Sequence, residues 1–297
     1  MDHGFLVIDK EPGMTSHDVV AIARRVLGTR KVGHAGTLDP MATGVLILGF
    51  NNGTRLLGYI TNGDKSYQAT MVLGAATITD DREGEILSQK DASGISDDEI
   101  EIELAKMRGA IMQRPSSVSA VKVDGERAYA RVRAGETLEI AAREITISQL
   151  DMQVIRRFDT SIEVDIEVTC SAGTFIRAIA RDCGQALGVG GHLSSLRRTR
   201  IASYGLDCAI TLEQLKIGDF SPLPLGDVAR GVFSTRELHV DERAELSFGR
   251  PLTCNPSDEI YAGMSGDNEL IALLANKDGF AKPIAVFAAA QQGRMSL

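Results

Sequence analysis

Apolar residues recur along the chain with two periods, which divide it into short strands and helices. FLVID (5–9) reads as a strand stopped by Pro12 and Gly13. Ser16 then caps a helix in which Val19, Ile22, Ala23, Val26 and Leu27 recur at helical spacing, with Gly28 at its C-terminal cap. RKVGHAGTLDPMATG (30–44) is dense in Gly, Pro and Thr and reads as a loop, followed by a buried strand over 45–48 and a short helix over 54–60. Tyr67, Ala69, Met71 and Leu73 alternate with their neighbours and predict a strand. The acidic stretch 77–99 reads as loop. Ser96 and Glu99 then have capping-box spacing ahead of a helix carrying Ile100, Leu104 and Met107, closed by Gly109.

The cleanest strand signal lies at 160–170. Ile162, Val164, Ile166, Val168 and Cys170 share one face, and Glu163, Asp165 and Glu167 the other. Half-buried alternation of this kind favours an antiparallel sheet. Gly173 breaks the strand before a helix over 174–187, where Arg177 and Arg181 lie one turn apart on one flank. SPLPLGD (221–227) reads as a linker. Beyond it, 236–297 reads as a small β-rich unit with strand candidates at 259–262, 270–274 and 284–287. Strands mixed irregularly with helices predict an α+β fold.

The 297 residues carry 32 Lys+Arg against 40 Asp+Glu, a net charge of −8. As a total this argues against a general nucleic-acid binder, which needs positive surface to displace phosphate counterions. No apolar run approaches the ~18 residues of a membrane helix, and the N-terminus has no secretory pattern. The four cysteines are widely spaced, as in a reduced, cytoplasmic protein. Dinucleotide, P-loop, zinc and EF-hand patterns are missing, as is the GxSxG elbow, so neither metal nor cofactor is expected.

What remains is GHAGTLDPMATG. Asp39 sits in it between Gly33, Gly36 and Gly44, on a backbone able to approach a ligand closely. A carboxylate there can serve as nucleophile or base. Asp-Pro is also a common turn, and on the residues alone both readings stand.

The stretch GHAGTLDPMATGVLILGFNNGTR closely resembles the catalytic-aspartate motif of the bacterial tRNA pseudouridine synthase B family. The resemblance continues, in family order, at LVIDKEPGMTSHDVV (6–20), GDKSYQATMVLG (63–74), RGAIMQRPSSVSAVKVDGERAYARVRAG (108–135), SAGTFIRAIARDCGQALG (171–188) and HLSSLRRTRIASY (192–204). It implies a pseudouridine synthase catalytic domain over 1–230, with a mixed, largely antiparallel central sheet flanked by helices. A small C-terminal β-barrel of the PUA-like type, an RNA-binding unit, would follow over 236–297. The implied activity is isomerisation of uridine to pseudouridine in the tRNA T-arm, conventionally position 55.

Residue roles follow from the same resemblance. Asp39 matches the nucleophile that acts on a flipped-out uridine, and Tyr67 the tyrosine that stacks on the uracil and is proposed as a base. Arg177 matches the arginine paired with the catalytic carboxylate, Leu196 an apolar pocket residue, and His34 a histidine that helps hold displaced bases. Lys10 matches a lysine of structural character. The segment 108–135 matches a thumb-like insertion that clasps the RNA, with Lys122, Arg127, Arg131 and Arg133 on its backbone-contacting side. Glu11, Val118 and Phe175 depart from the family pattern, bearing on a local turn and on RNA contacts.

The chemistry suits these residue types. Pseudouridine formation breaks the bond from C1′ to N1 and remakes it to C5 without change of formula or redox state, so it calls for no cofactor. An adjacent cation orients a carboxylate and favours its charged form. A flipped base regains ~1–3 kcal/mol by stacking on an aromatic ring. Competing readings are a synthase of the same superfamily acting on another RNA, a tRNA-binding chaperone, and an aspartate-nucleophile hydrolase, for which the second aspartate is missing. The expected protein is a monomer that partners tRNA and no membrane.

Charge distribution refines the −8. Residues 61–110 hold five basic against eleven acidic residues, and 206–297 hold eight against thirteen. The thumb-like segment 108–135 instead holds six against two. Arg197, Arg198 and Arg200 form a second basic cluster, and Arg24, Arg25, Arg30 and Lys31 a third. The pattern predicts one local, salt-sensitive groove for a folded RNA.

Overall fold

The computed structural model describes residues 3–116, 140–256 and 259–287, together with the backbone of 122–123 and 126–127. Val118, Arg131, Arg133 and the side chains of Lys122 and Arg127 lie outside the described residues.

Nine strands form the main sheet. In chain order they are β1 (Gly4–Lys10), β2 (Val32–Ala35), β3 (Thr43–Phe50), β4 (Lys65–Leu73), then, past a small hairpin β5 (Ala75–Thr77) and β6 (Ile86–Gln89), β7 (Gly109–Gln113). A two-residue ladder, β8 (Lys122–Val123) with β9 (Glu126–Arg127), precedes β10 (Arg143–Arg157), β11 (Ile162–Cys170), β12 (Gly191–Ile201) and β13 (Tyr204–Gly205). The sheet order is β1-β3-β12-β4-β11-β10-β7, with β2 beside β3 and β13 beside β12. All pairings in this sheet are antiparallel except β12 with β3, where Arg197 faces Thr43 and Arg198 faces Gly44. This is the mixed, largely antiparallel α+β architecture that the family resemblance implies, and the alternation at 162–170 belongs to one of its antiparallel strands.

Helices α1 (Ser16–Val26), α3 (Asp97–Ala105) and α4 (Ile176–Ala186) supply Val19, Val20, Ala23, Ile100, Leu104, Ile179 and Cys183 to a core with the buried faces of β4, β11 and β12. A short helix, α2 (Leu57–Thr61), follows a 3-10 turn. A second five-stranded sheet comprises Ser234–Glu237, Leu252–Thr253, Tyr261–Met264, Leu270–Lys277 and Phe280–Val286. It shares a hydrophobic cluster with the main sheet: Phe5, Val7, Val45 and Ile47 meet Ala262, Met264, Leu270 and Leu273.

The structure corrects several expectations. The cap of α1 is Thr15, one residue earlier than expected. Its extended backbone lets its side chain accept from the Asp18 amide while the Asp18 carboxylate accepts from its own. The segment 30–44 is not all loop, because Val32–Ala35 pairs with β3 and carries His34. Residues 77–99 contain β6, whose four residues are all exposed and so leave no apolar alternation to read. The segment 221–227 is not a free linker. Leu223 exchanges backbone hydrogen bonds of 2.9 and 3.0 Å with Phe5, and the helix Leu225–Val232 begins inside it. The long strand β10 escaped prediction because register shifts at Ile147/Gln149 and Met152/Val154 break its alternation.

Candidate active site

Asp39 lies in the loop between β2 and β3, which leaves the sheet at Gly36 (φ +83°) and re-enters at Gly44 (φ +96°). At Gly44 a Cβ would stand 2.1 Å from the Arg198 carbonyl, so this strand crossing admits glycine alone. Leu38 and Met41, on either side of Asp39, are buried and anchor the loop.

Three side chains fasten this loop. Ser16, freed from capping duty, accepts from the Leu38 amide at 2.8 Å and donates to the Leu38 carbonyl at 3.0 Å. Lys10 donates to the carbonyls of Met14 at 2.7 Å, Glu11 at 2.8 Å and Pro40 at 3.3 Å. Glu11 thus takes part through its backbone, which is why that departure is tolerated. Arg198, 1% exposed, donates to Val45, Gly36 and Thr37 carbonyls at 2.8, 3.0 and 3.3 Å. The basic cluster 197–200 is therefore not a free RNA-facing surface. Arg197 pairs with Asp9 at 2.7 Å, and Arg200 binds Ser66 Oγ at 2.9 Å. Burial pushes the Lys10 ammonium down to about 8, and does the same to Lys65 beneath the pocket.

The carboxylate of Asp39 is about one-third exposed and lies 3.1 Å from Nε of Arg177. That arginine occupies the first turn of α4 and is buried. Its Nη1 donates to the Thr79 carbonyl at 2.7 Å and to Asp81 at 3.2 Å. Asp81 is itself fixed by Thr79 Oγ1 at 2.5 Å and the Glu83 amide at 3.0 Å. One guanidinium thus bridges a partly exposed and a buried carboxylate. Arg181, one turn on, pairs instead with Asp80 at 3.2 Å and Asp182 at 2.8 Å, on the helix flank where the sequence places it.

A pocket of about 580 Å³ opens over Asp39 and is lined by His34, Tyr67, Phe175, Arg177, Leu196 and Arg198, among others. Tyr67 projects into it from β4, opposite Arg198. Burial pushes its phenol up, and the adjacent Arg198 guanidinium opposes the shift. Leu196 is 8% exposed and His34 packs edge-on against His17 at 5.5 Å. Phe175 forms one wall: Gln113 brackets its backbone at 2.8 and 3.0 Å, and Arg143 lies over its ring at 4.7 Å. The structure therefore brings Asp39, Tyr67, Arg177, Leu196 and His34 around one cavity. Sequence reasoning missed Asp81, Arg198 and Ser16 as members of this site. For Asp81 the only local signal is the turn-forming run TDDREG; its pairing with a helix 96 residues away leaves no spacing to read.

This geometry, an aspartate on a glycine-bounded loop facing a sheet tyrosine and a buried arginine, defines an aspartate-centred pocket on a pseudouridine synthase-type sheet. The fold resembles that in an H/ACA RNP bound to a substrate RNA containing 2′-deoxyuridine, with TM-score 0.72 and 24% identity over 97% of this chain and 86% of the other. A Cbf5-Nop10-Gar1 complex superposes equally well, at TM-score 0.72 and 24% identity over the same shares.

Residues 24–176 match the TruB family pseudouridylate synthase N-terminal domain, 177–218 the tRNA pseudouridylate synthase B C-terminal domain, and 233–288 the tRNA pseudouridine synthase II C-terminal region. The tRNA pseudouridine synthase B of Arthrobacter sp. (strain FB24) is 50% identical over 96% of each chain, and that of Mycobacteroides abscessus 50% identical over 92% of each. The chain belongs to the TruB family of pseudouridylate synthases and is an RNA-modifying isomerase. Among the described residues no helix is long and apolar enough to cross a membrane.

Proposed function

We propose that this protein converts a uridine of the tRNA T-arm, position 55, to pseudouridine, with Asp39 as the nucleophile. The observation that carries this reading is the Asp39 carboxylate, 3.1 Å from the buried Arg177 and open to a pocket walled by Tyr67 and Leu196. The target base leaves its stack, at a cost of a few kcal/mol, and stacks on Tyr67. Arg177 holds Asp39 in place, Leu196 excludes water, and His34 contacts the displaced bases. The bond from C1′ to N1 breaks, the uracil turns, and C5 bonds to C1′; the C5 proton leaves and N1 gains one. Tyr67, which lines the pocket, is assigned that proton transfer by way of its hydroxyl. Lys122, Arg127, Arg131 and Arg133 bind the RNA backbone. Residues 1–230 form the catalytic domain and 236–297 an RNA-binding unit, in a monomeric, cytoplasmic enzyme.

The test is tritium release from C5-labelled uridine in a T-arm stem-loop transcript. The wild type releases tritium; Asp39→Asn loses at least about 10³-fold in rate while its RNA affinity stays within a few-fold. Near-normal release by Asp39→Asn removes the nucleophile assignment. Tyr67→Phe keeps the stacking face, and a wild-type rate there removes the proton-transfer role.

A further inference from the structure

A second concavity, also of about 580 Å³, borders the catalytic pocket and shares Leu196 with it. Polar side chains of β4, β11 and β12 line it, including Gln68, Asp165, Glu167 and Arg197, while Met41 comes from the Asp39 loop and Arg82 from the turn after β5. Each of its charged side chains but one has a side-chain partner among the described residues. Asp165 takes both Arg156 Nη atoms at 2.6 and 2.7 Å and Thr70 Oγ1 at 2.7 Å. Glu167 accepts from Gln68 Nε2 at 3.0 Å, and Arg197 is paired with Asp9. Arg82 alone among the charged residues lining this concavity has no ion pair or side-chain hydrogen bond among the described residues, and it is exposed.

The backbone of Arg82 is nevertheless fixed. Its amide donates to the Leu193 carbonyl at 2.9 Å, and the preceding Asp81 forms a bridge with Leu193. Asp81 in turn holds Arg177 on Asp39. An unpaired guanidinium thus extends from a fixed backbone beside the catalytic pocket, in a concavity where Asp165 is neutralised by Arg156 and Glu167 accepts from the Gln68 amide. A planar, permanently charged fork with free donors suits a phosphodiester oxygen pair.

We propose that Arg82 binds a backbone phosphate of the substrate RNA next to the nucleotide held over Asp39. The proposal rests on the reading that the substrate is RNA. Its role is to register the strand, so that the target base enters the pocket and its neighbour's phosphate lies in the adjoining concavity.

The experiment titrates the full chain with a T-arm stem-loop transcript at several salt concentrations and follows tritium release in parallel. For Arg82→Gln we expect Kd and KM to rise about 3- to 10-fold near 0.1 M salt, a larger change than in kcat. The slope of log affinity against log salt should become shallower by about one phosphate contact, roughly 0.7 to 0.9. Arg82→Lys keeps the charge and should restore the slope. Arg157→Gln, which removes an arginine paired with Asp97, should leave the slope unchanged. An unchanged slope and affinity in Arg82→Gln overturn the proposal, as does a slope that Arg82→Lys fails to restore. If the wild type releases no tritium from any tRNA, the functional reading itself fails, a result separable from failure of Arg82 alone.

Discussion

Cations around the Asp39 loop are used differently from those at the surface of the C-terminal sheet region. Around the Asp39 loop, Lys10, Lys65, Arg177 and Arg198 are at most 6% exposed. They spend most of their donors on backbone carbonyls, and among the described residues only Arg177 of the four pairs with carboxylates. In the C-terminal sheet region, Arg230, Arg250 and Lys282 are partly exposed and pair with Glu237, Glu245 and Asp278 at the surface, while the more buried Arg236 reaches Glu242 and the Thr253 carbonyl. Burying a cation costs several kcal/mol before its hydrogen bonds offset it, and the depressed lysines record that cost. A chain tolerates such a cost where a short loop must be held at one geometry. The difference teaches that positional precision in this protein is concentrated at residues 36–44.

The sharpest way to break the comparison is to remove the cation that touches the candidate nucleophile. Arg177→Met deprives Asp39 and the buried Asp81 of their shared partner. Single-turnover tritium release should fall about 10²- to 10³-fold. Arg177→Lys should recover little, since one ammonium cannot place separate donors on Asp39 and on Asp81 with Thr79. Arg181→Met, one turn away, should lose less than about threefold, because its partners Asp80 and Asp182 lie outside the pocket. Equal losses in the two methionine variants would mean that helix α4 matters as a unit and that Arg177 has no special place.

A smaller effect is expected where the loop is fastened through its backbone. Ser16→Ala leaves the buried Leu38 amide without its 2.8 Å acceptor. Such a loss costs about 1–3 kcal/mol of stability. If Ser16 also positions Asp39, kcat should fall about tenfold while RNA affinity changes by less than twofold, and Ser16→Cys should be intermediate. A stability loss with unchanged kcat would reduce Ser16 to a packing role and weaken the claim for precision at 36–44.

These residues also mark where sequence reasoning stops. The strands β4 and β11 and the helices α1 and α4 were legible because each buries one face and so leaves a period in the chain, and α3 through its Ser96–Glu99 capping box. Asp39 stood out as a carboxylate on a glycine-bounded loop, and the family resemblance pointed to Arg177 and Tyr67. Ser16 was misread because Thr15 and Ser16 are both able caps, and only the tertiary position of Leu38 separates them. Arg198 was read as surface charge, because its carbonyl partner at Val45 is 153 residues away and meets it through a parallel crossing. A long-range hydrogen bond to a carbonyl imposes no residue type on its acceptor, and so leaves no mark in the sequence.

The smallest expected effect tests the other side of the comparison. Arg250 lies 3.1 Å from Glu245, with the two side chains 62% and 45% exposed. Its guanidinium also sits 5.4 Å from the ring centre of Phe248, itself 72% exposed. Exposed ion pairs contribute up to about 1 kcal/mol, and exposed cation–π contacts a comparable amount. Both compete with hydration and with the side-chain entropy of a long, free arginine. Arg250→Ala should therefore shift the unfolding free energy by no more than about 1 kcal/mol. The screened ion-pair share of that difference should fade in ~1 M salt, where the Debye length is only about 3 Å. Denaturant melts at low and high salt measure both quantities. A loss of more than about 2 kcal/mol that persists at high salt would place Arg250 with the buried cations of the Asp39 loop and remove the contrast between that loop and the surface pairs.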